Sequence, residues 1–183
     1  VSSKFGLNRG YEFFHQAWEL DSYTGRGDSV LQLFDAWLSK HTNERFFTYV
    51  HFKEPHFPYN PPPPYDQLFG ASTLFPEGLQ VWDDVNRYNI AAADGVVPED
   101  DVVKRIRALY DGNMAYADHL VGELLSRLDA RGLREKTMVI LTADHGEAMF
   151  EHEFIGHNTQ LYEESIRVPL VISVPGLAPR RVK

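Results

Sequence analysis

The sequence predicts an α/β fold: a layered, largely parallel (mixed) sheet flanked by helices. Two apolar runs, TMVILTA at 137–143 and VPLVISV at 168–174, read as buried strands, because a strand covered on both faces loses the polar alternation of a half-exposed one. A segment over 99–131 repeats apolar residues every three or four positions, the signature of a long amphipathic helix. Helices alternating with apolar strands belong to layered folds with a mostly parallel sheet.

Taken in order, residues 1–28 are irregular, and SYTGRGDS reads as a polar loop rather than an adhesion signal centred on Arg26-Gly27-Asp28. Residues 29–40 place Val30, Leu33, Phe34, Trp37 and Leu38 at helical spacing, with Asp28 or Ser29 as N-cap. FFTYVHF at 46–52 is aromatic and β-branched, which predicts a short strand. Pro58 and the run Pro61 to Pro64 then exclude a helix interior or central strand. The run predicts polyproline II, a stiff loop with Phe57, Tyr59 and Tyr65 as packing groups rather than a ligand for a proline-reading domain. Residues 70–98 carry no clear pattern and read as a loop with short helical turns. The long helix is bounded by Pro98 and Gly132, with a possible break near Gly112. Pro169 opens the last strand, where its missing N–H is tolerable.

The bulk numbers narrow the function. At 183 residues, 43% of them hydrophobic, the chain is one domain or a large piece of one. Its net charge is −8, with lysines and arginines scattered, which argues against a nucleic-acid face. There is no cysteine, so disulfides, zinc–thiolate sites and cysteine nucleophiles are excluded within this chain, and the compartment stays open. No apolar stretch approaches the ~18 residues of a membrane span. The first residue is Val1, as expected of a processed or truncated chain.

Ligands of such sheets sit beyond the carboxyl ends of the strands. Asp144 and His145 directly follow the run 137–143, and His56 follows 46–52. If those strands are parallel neighbours, the three arrive at one edge. A carboxylate beside an imidazole offers an oxygen and a nitrogen to one divalent cation, suiting zinc, manganese or iron, whereas carboxylates alone suit calcium or magnesium. Gly146 relieves crowding where the backbone turns. The competing reading is a strand-end turn in which Asp144 caps the next element.

TADHGE, EH at 151–152, GH at 156–157 and LYEESIRVPL at 161–170, with YVHFKEPHFPYNPP and YDGNMAYADHLVGELLSRLDARGL upstream, together resemble the sulfatase family of the alkaline-phosphatase-like superfamily. The resemblance runs over roughly 46–176 and implies roles. Asp144 and His145 match two metal ligands. Many members have Asn at the second position, so the ion implied is calcium first, with manganese or zinc as alternatives. His56 matches a histidine that contacts the ester or its sulfate oxygens. His157 falls near a lysine or histidine that holds the sulfuryl group. Cation and imidazole donors would stabilise charge spread over peripheral oxygens, and a histidine can protonate the leaving oxygen. Glu147 would orient a ligand or cap a turn. His152 reads as a structural or surface group, and Glu163, Glu164 and Arg167 as local ion pairs. His15, His41 and His51 have no motif around them.

The family's Cys/Ser-x-Pro-x-Arg nucleophile is absent from these residues, as is an early aspartate pair. The expectation is a single partial catalytic domain over 1–183, the middle and C-terminal part, inactive alone. Its substrate would be a small-molecule or glycan sulfate ester, and an exposed sheet edge would favour self-association. The alternatives are a phosphodiesterase, phosphonate hydrolase or phosphoryl transferase of the same superfamily, or a non-catalytic remnant.

Overall fold

The computed structural model describes residues 3–16, 27–70, 99–157 and 160–181. Its main elements are α1 (Gly27–Leu38), α2 (Asp100–Ala130), β1 (Val139–Thr142), β2 (Ala148–Met149), β3 (Ile155–Gly156), α3 (Glu163–Ile166) and β4 (Leu170–Ser173), with 3-10 turns at Ser3–Phe5 and Arg134–Lys136. Most of the unpatterned stretch 70–98, and Arg26 of the predicted polar loop, lie outside the described residues. Gly27 and Asp28 belong to α1.

The long helix forms because its apolar stripe has two partners. Leu31, Tyr116 and Leu120 pack α1 against α2. Phe34, Leu38, Leu128 and Leu133 continue that seam, and Arg131 Nη2 donates to Asp35 Oδ1 across it at 2.8 Å. Further back along α2, Ile106 joins Tyr59, Met149 and Ile155 in a third cluster that ties the proline loop and the β2–β3 hairpin to the helix. Arg107 Nη2 also donates to the Met149 carbonyl at 2.6 Å. The helix ends at Gly132, whose φ of +62° lets Leu133 N–H reach the Leu128 carbonyl and Gly132 N–H the Asp129 carbonyl, both at 2.9 Å. That is the Schellman arrangement, sealed by Leu133 against Leu128.

Gly112 does not break the helix. It is buried within α2, and a Cβ there would stand 2.5 Å from the Tyr65 carbonyl oxygen and 2.9 Å from Pro61 Cγ. The glycine admits the proline loop to the helix surface. That loop leaves the polyproline path at Pro63, with Tyr65 N–H bonded to the Pro62 carbonyl and Gln67 N–H to the Pro64 carbonyl.

The sheet differs from expectation. Among the described residues it is two separate pairs, β1 with β4 and β2 with β3, and both are antiparallel. After β1 the chain makes the hairpin and α3, then returns to the same end of β1, where Gly146 N–H donates to the Ser165 carbonyl at 2.8 Å. A strand entering from that end has to run backwards, so Thr142 faces Leu170. A parallel neighbour would need a crossover to the far end, usually a full helix; α3 has 4 residues. Residues 46–52 form no strand, since aromatic and β-branched composition makes a strand only where a neighbour completes the ladder. Nor are the two apolar strands covered: Ile140, Leu170, Val171 and Ile172 are exposed.

Candidate active and metal site

Three histidines from three segments meet beside the hairpin. His56 is presented by a turn in which its own N–H bonds the Lys53 carbonyl at 2.8 Å, not by a strand end. His145 follows β1 by two residues past Ala143 and is a third exposed. His157 directly follows β3. The rings of His145 and His157 stack at 3.7 Å, and His56 stands edge-on to His157 at 5.2 Å and to His145 at 6.2 Å. One ring nitrogen from each lies within 4.8 Å of the other two.

Each ring is oriented by its Nδ1. In His56 this atom donates to the Phe57 carbonyl at 2.6 Å, in His145 to the Gly146 carbonyl at 2.7 Å, and in His157 to Glu147 Oε1 at 2.8 Å. All three partners are acceptors only, so Nδ1 carries the proton and Nε2 is the atom free for chemistry.

Asp144 sits differently. Its Oδ1 is 3.8 Å from His145 Nε2, but the carboxylate is 68% exposed and stands outside the three-nitrogen group. Gly146 explains how the loop 144–147 comes so close to α3: an added Cβ would collide with the Glu164 carbonyl.

Glu147 is the residue whose weight the sequence understated. Its side chain is 5% exposed, and it holds the Nδ1 of His157 on one side and the hydroxyl of Tyr59 on the other. Burial, then the Glu147 charge and this hydrogen bond, push the Tyr59 phenol far above its usual range. Burial and Glu147 act in the same direction on Tyr110. Tyr59 was legible only as a packing group. His51 was read as bland; its ring stacks on Tyr49 and feels Asp144, His56 and His145, with burial lowering its pKa first. His152 instead binds Glu164 Oε1 at 2.6 Å and stacks on Tyr162, so Glu164 serves as a strut between the hairpin turn and α3.

Solved structures with this fold include a phosphonate monoester hydrolase from Silicibacter pomeroyi, with a TM-score of 0.63 at 24% identity over 90% of this chain and 35% of that one. The phosphonate monoester hydrolase of Agrobacterium radiobacter has a TM-score of 0.63 at 26% identity over 82% of this chain and 34% of that one. These neighbours have alkaline-phosphatase-like folds, and the chain shares that fold with them. Residues 3–183 match the Sulfatase family, and the chain belongs to it. Iduronate 2-sulfatase of Mus musculus is 31% identical over 150 residues, 72% of this chain and 27% of that protein. Arylsulfatase K of Xenopus laevis is 31% identical over 166 residues, 79% of this chain and 30% of that protein. The chain thus spans less than a third of the length of these relatives.

Proposed function

We propose that this chain is the middle and C-terminal part of a sulfuric ester hydrolase acting on small-molecule or glycan sulfate esters. The observation that carries the reading is the convergence of His56, His145 and His157 beside Asp144, in a chain of the sulfatase family. Asp144 Oδ1 and His145 Nε2, 3.8 Å apart, supply an oxygen and an imidazole nitrogen to one point, a donor pair that fits a divalent ion. These two residues would hold calcium, or manganese or zinc in its place. When bound, the ion supplies charge stabilisation to the ester's peripheral oxygens.

The protein's own groups would do the rest. His56 is exposed and can approach the ester with Nε2. His157, anchored through Nδ1 on Glu147, keeps its Nε2 directed away from that carboxylate, at the place where a proton would be held for the leaving oxygen. Tyr59 keeps its proton and hydrogen-bonds the Glu147 carboxylate. The nucleophile is not among these residues, since no Cys/Ser-x-Pro-x-Arg occurs, so this segment alone is expected to be inactive.

The test is turnover by the full reading frame with added calcium or manganese, aryl sulfate against aryl phosphate, beside the isolated segment. We expect sulfate turnover by the long form, none by the segment, and loss of at least ~100-fold on Asp144→Ala. Turnover of phosphate or phosphonate esters alone would favour the second reading, a phosphonate hydrolase, which the 26% identical structure supports. Full activity after Asp144→Ala would refute the metal role, and no turnover of any ester would leave a non-catalytic remnant.

A further inference from the structure

We propose that His56, His145 and His157 also constitute a transition-metal site of their own, one that takes a zinc-like ion through three imidazole nitrogens. It differs from the Asp144/His145 pair in its ligands, three imidazoles and no carboxylate, shares His145 with it, and does not depend on the ester-hydrolase reading.

The geometric ground is the three ring nitrogens within 4.8 Å of one another. The chemical ground is stronger. A histidine that ligates a metal almost always donates its other ring N–H to a carbonyl or carboxylate, which fixes the tautomer and leaves the ligating nitrogen unprotonated. All three rings here already do so, onto the Phe57 carbonyl, the Gly146 carbonyl and the Glu147 carboxylate, at 2.6, 2.7 and 2.8 Å. A stack of packing histidines has no need to satisfy every Nδ1 on an acceptor and leave every Nε2 free.

The donor set selects the ion. Three neutral imidazoles suit zinc, copper(II) or nickel and are poor ligands for calcium or magnesium, which prefer oxygen. Zinc–nitrogen bonds of about 2.0–2.1 Å bring tetrahedral nitrogens to roughly 3.4 Å apart, so the rings must close inward by side-chain rotation. The cluster of Tyr59, Ile106, Met149 and Ile155 packs the neighbours of His56 and His157 against the long helix. His56 is exposed, and His145 and His157 keep 33% and 19% of their side chains in solvent. An ion can therefore enter, with a fourth position open to water. Because His145 serves both sets, zinc and a calcium-type ion exclude each other there, and bound zinc withdraws all three imidazoles from any ester.

The experiment is calorimetric titration of this chain with zinc, with cobalt(II) as the spectroscopic probe. We expect one zinc per chain and the intense visible bands of four-coordinate cobalt. His56→Ala and His157→Ala should each weaken zinc by more than about tenfold, and Glu147→Gln by about tenfold through the His157 anchor. His152→Ala, whose ring is bonded to Glu164, should change it less than about threefold, with circular dichroism confirming that each variant is folded. Zinc affinity insensitive to His56→Ala and His157→Ala, or six-coordinate cobalt spectra in the unsubstituted chain, would overturn the proposal. The cobalt spectrum needs no variant, so a misfolded mutant cannot shelter it, and a failed ester assay would leave this result standing.

Discussion

At the scale of single residues, the arrangement turns on Glu147. A carboxylate that is 5% exposed is costly to bury unless its oxygens are bonded, and two donors, the His157 Nδ1–H and the Tyr59 hydroxyl, meet that need. Removing the acceptor strands both donors. We expect Glu147→Leu to destabilise by about 2–4 kcal/mol, since each unpaired buried polar group costs about 1–3 kcal/mol. Glu147→Gln keeps an acceptor oxygen and should cost less than half of that. Urea unfolding of the two variants measures the difference, and equal losses would show that the charge, not the hydrogen bonding, matters. Motif spacing exposed His56, Asp144, His145 and His157. It could not expose the Tyr59–Glu147–His157 chain, because nothing in a sequence states which carboxylate a buried phenol will find.

At the scale of elements, two contacts decide how the helices sit. Gly112 lies mid-helix, where alanine is ordinarily better by about 1 kcal/mol. Here a Cβ would press on the Tyr65 carbonyl and Pro61, so we expect Gly112→Ala to destabilise by about 1–3 kcal/mol. A thermal melt gives the sign, and a stabilised variant would mean that the proline loop yields. The start of α1 is held by Glu54, whose Oε1 accepts from Gly27 N–H at 3.0 Å, instead of by the caps the sequence suggested. Burial, first of its causes, raises the Glu54 pKa above 4.5. Its folded form holds the proton more tightly than its unfolded form, so this group's contribution is largest below pH 4.5 and is lost as pH rises through the raised value. Glu54→Gln should therefore melt higher than the parent at pH 7, the gap closing towards pH 4.5. A gap that widens on acidification would contradict the assignment. The helices were legible because a 3.6-residue period is written along the chain; the 46–52 strand was not, because a ladder needs a partner that composition does not name.

At the scale of the whole molecule, the β1–β4 pair presents Ile140, Leu141, Leu170, Val171 and Ile172 at 57, 41, 66, 56 and 53% exposure. Among the described residues no helix is long and apolar enough to cross a membrane. An exposed apolar face is a place for association, and we propose that in the isolated chain it pairs with a second copy. Sedimentation should show concentration-dependent association. The cross-strand pair Ile140→Lys with Ile172→Lys should suppress it, and a monomer at all concentrations without those changes would remove the idea. The sequence by itself determined the family, both long helices, the two apolar strands and the four side chains we propose for the chemistry, since periodicity and motif spacing are properties of neighbours in the chain. Tertiary structure alone decided that the strands run antiparallel, that His56 arrives on a turn, and that three Nδ1 atoms are each bonded while their Nε2 partners stay open. Those outcomes depend on which distant groups come into contact, and the energy that settles them, packing plus the satisfaction of buried polar atoms, exists only once the chain has closed on itself.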